Sequence, residues 1–137
     1  MQLTENFTLE ELIESSTAKA KKIDNTPDEV SKDKLIHLAN DILQPLRDKY
    51  GSPITVTSGY RSDALNKAVG GVKTSQHRYG EAADIKCSDL KKLWKIAVEM
   101  VNNKEITVGQ LIDEKNLSWI HISLPTKTKK NQILHIK

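Results

Sequence analysis

The sequence predicts a single α+β domain over residues 1–137, with a mostly antiparallel sheet and helices packed on one face. Two observations lead to this fold class. Segments with helical periodicity and short segments with period-two alternation both occur, but helices and strands do not alternate regularly along the chain. In addition, 137 residues, of which 37% are hydrophobic, suffice for one core and are too few for two.

Helices are predicted where apolar residues recur every three or four positions behind a capping residue. The segments Thr8 to Glu11 and Thr26 to Glu29 each match a capping box, the second with proline at its first helical position. The second box is expected to open a long amphipathic helix, which Gly51 ends and Pro45 kinks. Further helix caps are predicted at Ser62 and at Ser88 or Asp89.

Strands are predicted in four segments in which polar and apolar side chains alternate. These segments are "PITVTSGY", "EAADIKC", "TVGQLIDE" and "SWIHISL". The last two are expected to form a hairpin around Lys115 to Leu117. The tail "QILHIK" is interpreted as a further strand. Since Ile120 and Ile122 would face the core, His121 would face away from it, and the same alternation turns Asp84 away from the core.

Composition excludes several classes of protein. The chain has no run approaching the ~20 apolar residues that span a bilayer, and its first residues lack the pattern of a signal peptide. Cys87 is the only cysteine, which rules out an intrachain disulfide and a cysteine-based zinc site. The net charge is +3, but with 4% aromatic residues and few arginines a nucleic-acid binder ranks last.

A metal site is suggested by polar residues on the strand face that points away from the core. His77 stands seven residues before Asp84, and Gly80 allows the intervening loop to turn so that the two converge. With His121, two imidazoles and one carboxylate would meet, a set that leaves a fourth position for water as in catalytic zinc sites. Spacing alone leaves open the ordinary alternative of hydrogen-bonded surface histidines and an aspartate that caps a turn.

The same segments resemble a known family. "SQHRYGEAADI" resembles the Ser-x-His-x-x-Gly-x-Ala-x-Asp signature of the zinc D-alanyl-D-alanine carboxypeptidases, and "SWIHIS" resembles their Trp-x-His-x-Ser segment. "LQPLRDKYGSPITVTSGYRSDALNKAVGG" is similar to their arginine-bearing segment. The superfamily also holds phage endolysin L-alanyl-D-glutamate peptidases and the hedgehog signalling domain, and the similarity runs from about Phe7 to Leu124.

This resemblance implies the roles of individual residues. It makes His77, Asp84 and His121 the ligands of one zinc ion. Arg61 would polarise the substrate carbonyl or hold a substrate carboxylate, and a guanidinium suits either task because it stays charged and offers a planar fork of donors. Ser75 would line the site and could donate to substrate, although an ordinary loop role explains it almost as well.

The general base is the position where the chain departs from the family pattern. Many members carry an acidic residue three positions before the last histidine, but here that residue is Ser118. A hairpin loop of two or four residues would pair Glu114 with Trp119 and place Glu114 on the ligand face. A three-residue loop would favour Asp113 instead. Glu114 is preferred, also because "QLIDE" resembles a segment of the short family members.

The implied function is that of a zinc metallopeptidase that hydrolyses peptidoglycan stem-peptide bonds with a metal-activated water molecule. It would act as a D-Ala-D-Ala carboxypeptidase or as an L-Ala-D-Glu endopeptidase. The alternative is a non-catalytic zinc-containing module, such as a phage structural part or a wall adhesin, for which Ser118 is the only support. We expect a monomer without nucleic-acid or membrane partners. It would be cytoplasmic as synthesised and, if encoded by a phage, would reach the wall by release at lysis or as part of the virion.

Overall fold

The three-dimensional structure is a computed structural model that describes residues 1–137. It contains six α-helices, one π-helical segment, one 3-10 turn and five strands, which confirms the α+β class. The helices are α1 (Leu9–Ile13), α2 (Ser16–Lys21), α3 (Glu29–Leu38), α4 (Gln44–Tyr50), α5 (Asp63–Ala68) and α6 (Leu90–Asn102). The strands are β1 (Thr55–Ser58), β2 (Ala82–Lys86), β3 (Gln110–Glu114), β4 (Trp119–Ser123) and β5 (Gln132–Ile136).

The five strands form one sheet in the order β1-β2-β4-β3-β5. Three of the four strand pairs are antiparallel, as the sequence predicted, and β5 joins β3 in parallel as an edge strand. Strand β2 therefore lies at the centre of the antiparallel part, next to β4. This neighbourhood matters because β2 carries Asp84 and β4 carries His121.

The core fills one face of the sheet. Alternate side chains of β2, β3 and β4 join residues of the helices in a cluster of 22 buried residues. The strand members include Ala83, Ile85, Leu111, Ile120 and Ile122, all fully buried. Because side chains of a strand point to opposite faces in turn, the residues between them lie on the other face. None of the helices is long and apolar enough to cross a membrane.

The long helix ends at Gly51 as predicted, but it differs from its prediction at its start and before Pro45. The capping box at Thr26 is wrong, because Asp28 caps α3 and accepts a hydrogen bond from the Ser31 N–H at 2.7 Å. Before Pro45, residues Ala39–Leu43 form a π-helical segment between α3 and α4. Proline lacks an N–H and crowds the carbonyl four residues earlier, and a wider turn relieves both problems.

The other caps are those predicted, namely Thr8 with its capping box, Ser62 and Asp89. Helix α2, which begins after Ser15, was not predicted because its six residues show no apolar stripe.

Two glycines allow backbone segments next to His77 to pack closely against neighbouring helices. A Cβ at Gly59 would lie 2.1 Å from the Leu12 carbonyl oxygen, so only glycine lets this loop rest against α1. Gly80 has a φ of +74°, and a Cβ there would lie 2.4 Å from the Ser31 carbonyl oxygen on α3. These contacts fix the loop that follows β1 and the residue that ends the 3-10 turn Gln76–Tyr79.

Candidate metal centre

Asp84 and His121 lie opposite each other on neighbouring strands. In the β2–β4 register Asp84 pairs with His121, between the two core pairs Ala83 with Ile122 and Ile85 with Ile120. Since those four residues face the helices, Asp84 and His121 face the opposite side, as the alternation predicted.

His77 reaches the same place from the 3-10 turn. Its Nδ1 lies 2.7 Å from the Gly59 carbonyl oxygen, an acceptor only, so Nδ1 carries the proton and donates. The free Nε2 then points to Asp84, with Oδ1 at 3.3 Å. A histidine whose other ring nitrogen is fixed by a backbone carbonyl is the usual arrangement of a metal ligand. The side chain is only 5% exposed, which holds the ring in this orientation.

The three donors have the spacing that zinc requires. One donor atom from each of His77, Asp84 and His121 lies within 4.8 Å of the other two. Asp84 Oδ1 is 3.3 Å from His77 Nε2 and 3.1 Å from His121 Nδ1. Ligands at about 2.0–2.2 Å around a tetrahedral ion are separated by about 3.4 Å. The donor set and its spacing therefore fit one zinc ion with a fourth position left for water or substrate.

Asp84 is the electrostatic centre of the cluster. Burial by itself raises the pKa of its carboxyl group, but the adjoining rings of His121 and His77 outweigh burial, so the pKa lies well below its usual range. The carboxylate is thus ionised throughout the neutral range. An ionised oxygen between two imidazoles is a good ligand for a divalent cation.

Arg61 adds a fixed positive charge beside the cluster. Its Nη2 is 3.8 Å from Asp84 Oδ2, and the guanidinium is held by Ser58 Oγ at 3.2 Å and Asn66 Oδ1 at 3.3 Å. Burial lowers the pKa of Arg61 and the Asp84 charge raises it, yet a guanidinium remains charged at any pH relevant to proteins. The side chain is 17% exposed, so part of it can still meet a ligand.

Arg61 also lines a small cavity. The cavity has a volume of about 210 Å³, and its walls include the hydroxyl side chains of Thr57 and Ser58. The lining also includes the Glu14 carboxylate and the apolar side chains of Leu65 and Val69, so the cavity suits a ligand with both polar and apolar groups, such as a peptide. Neither this cavity nor a larger one of about 700 Å³ between α1 and α2 is lined by any of the three predicted ligands.

The hairpin places the two candidate bases on opposite faces of the sheet. The turn from residue 115 to residue 118 joins β3 to β4, and Glu114 pairs with Trp119 while Asp113 pairs with Ile120. Glu114 therefore shares the face of His121, as a diagonal neighbour at about 7–8 Å between backbones, within reach of a long side chain. Asp113 lies on the other face, where its Oδ2 is 3.1 Å from His135 Nδ1.

Ser75 has a structural contact. Its Oγ accepts a hydrogen bond from the His77 N–H at 3.3 Å and so caps the 3-10 turn. This contact corresponds to the ordinary loop role, and it keeps Ser75 next to the turn that bears the ligand.

Sequence reasoning missed the residues that hold the loops of the site in place. Asn25 donates to the carbonyl oxygens of Ile13 at 2.7 Å and Tyr60 at 3.0 Å, and it accepts from the Ser62 N–H at 2.7 Å. It thereby clamps the segment that carries Arg61 from both sides. No pattern in the sequence indicates these contacts, because their partners are 12 to 37 residues away.

A family model described as Peptidase M15 matches residues 5–123 of this chain. The match covers most of the chain and includes every member of the cluster. The chain belongs to the peptidase M15 family. Strand β5 lies beyond the matched residues.

A curated relative agrees with this membership over a shorter stretch. The chain is 50% identical over 44 residues to the zinc D-Ala-D-Ala carboxypeptidase of Streptomyces albus G. The aligned stretch covers 31% of this chain and 17% of that protein. The match thus spans less than one fifth of the length of this relative.

Proposed function

We propose that this M15 peptidase is a zinc enzyme that hydrolyses peptide bonds in the stem peptides of peptidoglycan. The observation that carries the proposal is the buried cluster of His77, Asp84 and His121, whose three donor atoms lie within 4.8 Å of one another. The name of the Streptomyces relative supports both zinc and a substrate that ends in D-alanine. Residues 5–123, which match the family, contain the whole cluster.

The cluster supplies two imidazoles and one carboxylate, a ligand set of catalytic zinc sites. When bound there, zinc would contribute Lewis acidity, which polarises a carbonyl oxygen and makes a water molecule more acidic. His77 is already oriented by Gly59, and Asp84 is ionised, so little rearrangement is needed to take up the ion.

Arg61 would stabilise negative charge on the substrate. Its guanidinium is anchored by Ser58 and Asn66, so its charge does not have to be repositioned during the reaction. It can donate to the carbonyl oxygen that becomes negative when water attacks, or to a terminal carboxylate of the peptide. The cavity lined by Arg61, Thr57 and Ser58 supports a polar peptide as the ligand.

Glu114 would move the proton. Its carboxylate lies on the same face as His121, one diagonal position away. A carboxylate oxygen there can accept a proton from the attacking water and then donate it to the nitrogen of the leaving amine, which breaks the carbon–nitrogen bond. Asp113 is not suited to this step because it lies on the opposite face.

The proposal is tested by digestion of purified peptidoglycan and mass spectrometry of the released fragments. We expect hydrolysis by the zinc-loaded protein, loss of hydrolysis on chelation, and recovery when zinc is returned. Release of D-alanine would indicate carboxypeptidase action, and separation of L-alanine from D-glutamate would indicate endopeptidase action. A folded, zinc-loaded protein that releases no fragment from the wall would contradict the proposal and favour a binding module.

A further inference from the structure

We propose that Lys34, Glu81 and Gln76 form a polar strut that holds His77 where it can bind the metal ion. The proposal rests on the zinc function proposed above and concerns a part of the molecule outside the ligand cluster. The strut connects helix α3, the 3-10 turn and the end of strand β4. Its members are positioning residues, since none of them is among the three ligands.

Gln76 is the central member of the strut. It is 6% exposed, and its Nε2 donates to the Leu124 carbonyl oxygen at 3.0 Å and to Glu81 Oε1 at 3.4 Å. Both partners are acceptors, so the amide nitrogen must point towards them. Its Oε1 is buried without a partner. A buried acceptor without a partner opposes folding, so stability alone does not account for this side chain.

Glu81 connects the strut to helix α3 through its side chain and to the end of strand β4 through its backbone. Its Oε2 lies 2.5 Å from Lys34 Nζ on α3, and its side chain is 12% exposed. Its backbone carbonyl accepts from the Leu124 N–H at 2.8 Å, and its own N–H donates to the Gln76 carbonyl at 3.1 Å. The turn from Gln76 to Glu81 is therefore tied to the end of β4 by one backbone and one side-chain contact.

These contacts matter because His77 follows Gln76 directly. The 3-10 turn has only four residues, and such a short element does not hold its position by itself. The His77 ring is fixed by Gly59, and its backbone carbonyl accepts from the Arg61 N–H at 2.9 Å. The strut holds the residue directly before it, Gln76, and the end of the turn at Glu81. A metal site requires its ligands within about 0.5 Å of the productive geometry. We infer that the strut supplies this precision.

The charges of the strut lead to matched variants. Gln76→Glu has nearly the same shape, but it places a second carboxylate next to Glu81 where a donor stood. Lys34→Met removes the cation that neutralises Glu81, whereas Lys34→Arg keeps it. Lys19→Met is the control, since it removes a lysine from the exposed Lys19–Glu14 ion pair, far from the turn in sequence.

The test uses the metal-free full chain of each variant. Zinc affinity is measured by competition with a chelator, the ligand field by the visible spectrum of the cobalt(II) form, and folding by the melting temperature. We expect Gln76→Glu and Lys34→Met to lose about tenfold or more in affinity and to change the cobalt spectrum. Lys34→Arg should match the wild type, and Lys19→Met should leave both metal readouts unchanged.

The strut is wrong if Gln76→Glu and Lys34→Met bind zinc as tightly as Lys19→Met and give the same cobalt spectrum. A lower melting temperature with unchanged affinity would show a purely structural role and would also overturn it. If Gln76→Glu does not fold, Lys34→Met still decides, because that lysine is 40% exposed and its loss leaves no cavity in the core. A wild-type chain that takes up no zinc would instead contradict the proposed function, and the strut with it.

Discussion

The orientation of His77 is set by atoms that do not belong to the three predicted ligands. The Gly59 carbonyl oxygen accepts from Nδ1, which leaves Nε2 for the proposed zinc ion, and the absence of a Cβ on Gly59 lets this loop lie against α1. The sequence predicted His77, Asp84 and His121 as a set. It could not indicate Gly59 or Asn25, because their contacts depend on backbone positions that only the folded chain creates.

The choice of base is tested at the residue scale. Glu114→Gln should keep zinc affinity within about twofold of the wild type while hydrolysis falls by about 10²–10⁴-fold, because an amide cannot accept the proton. Steady-state hydrolysis of a stem peptide and zinc titration measure the two quantities.

Asp113→Asn is the matched control for this experiment. It changes the same chemistry on the neighbouring residue, which faces away from His121. We expect it to retain activity. An inactive Asp113→Asn beside a fully active Glu114→Gln would show that the base has been assigned to the wrong face.

At the scale of elements, the strands were predicted better than the connections. Period-two alternation assigned Asp84 and His121 to the face away from the core, and hairpin geometry assigned Glu114 to the same face. Both signals are local, and burial of one sheet face enforces them. The capping box at Thr26 failed because Asp28, whose carboxylate reaches the Ser31 N–H, serves as the cap instead. The edge strand β5 pairs in parallel, which alternation cannot reveal.

The approach of the ligand-bearing turn to α3 is tested at the same scale. Gly80→Ala introduces a side chain at a φ of +74° and 2.4 Å from the Ser31 carbonyl oxygen, so both strain and a clash result. We expect a loss of about 1–3 kcal/mol in the free energy of unfolding from the strained backbone, and a further loss from the clash. Urea denaturation of the metal-free protein measures it.

Gly70→Ala separates these two causes. Gly70 has nearly the same φ, +75°, but no atom lies within 4 Å of the added carbon. The difference between the two variants therefore reports the close approach alone. Equal losses in both variants would mean that the turn does not rest on α3 as described.

For the whole molecule, the two faces of the sheet have different roles: one builds the core and the other carries the candidate site. This arrangement explains how a short chain can hold both. One face is covered by helices and supplies the buried cluster of 22 residues, while the other presents Asp84, His121 and Glu114. Metal uptake on the second face should therefore stabilise the entire fold, since the ligands come from β2, β4 and the turn between β1 and β2.

This coupling gives a prediction for thermal unfolding. At a free zinc concentration 100 times the dissociation constant, the folded chain should gain about 2.7 kcal/mol in stability. Calorimetry of the metal-free and zinc-loaded protein should show the corresponding rise in melting temperature. The His121→Ala variant should show no comparable rise, and an equal rise in that variant would place the stabilising zinc at another site.

The central claim is that one zinc ion is held jointly by His77, Asp84 and His121. Anomalous diffraction from crystals of the zinc-loaded protein, recorded at the zinc absorption edge, tests it most directly. We predict a single strong anomalous peak about 2.0–2.2 Å from His77 Nε2, His121 Nδ1 and an Asp84 carboxylate oxygen. A peak bound by other side chains, or no peak between these three residues, would contradict the account.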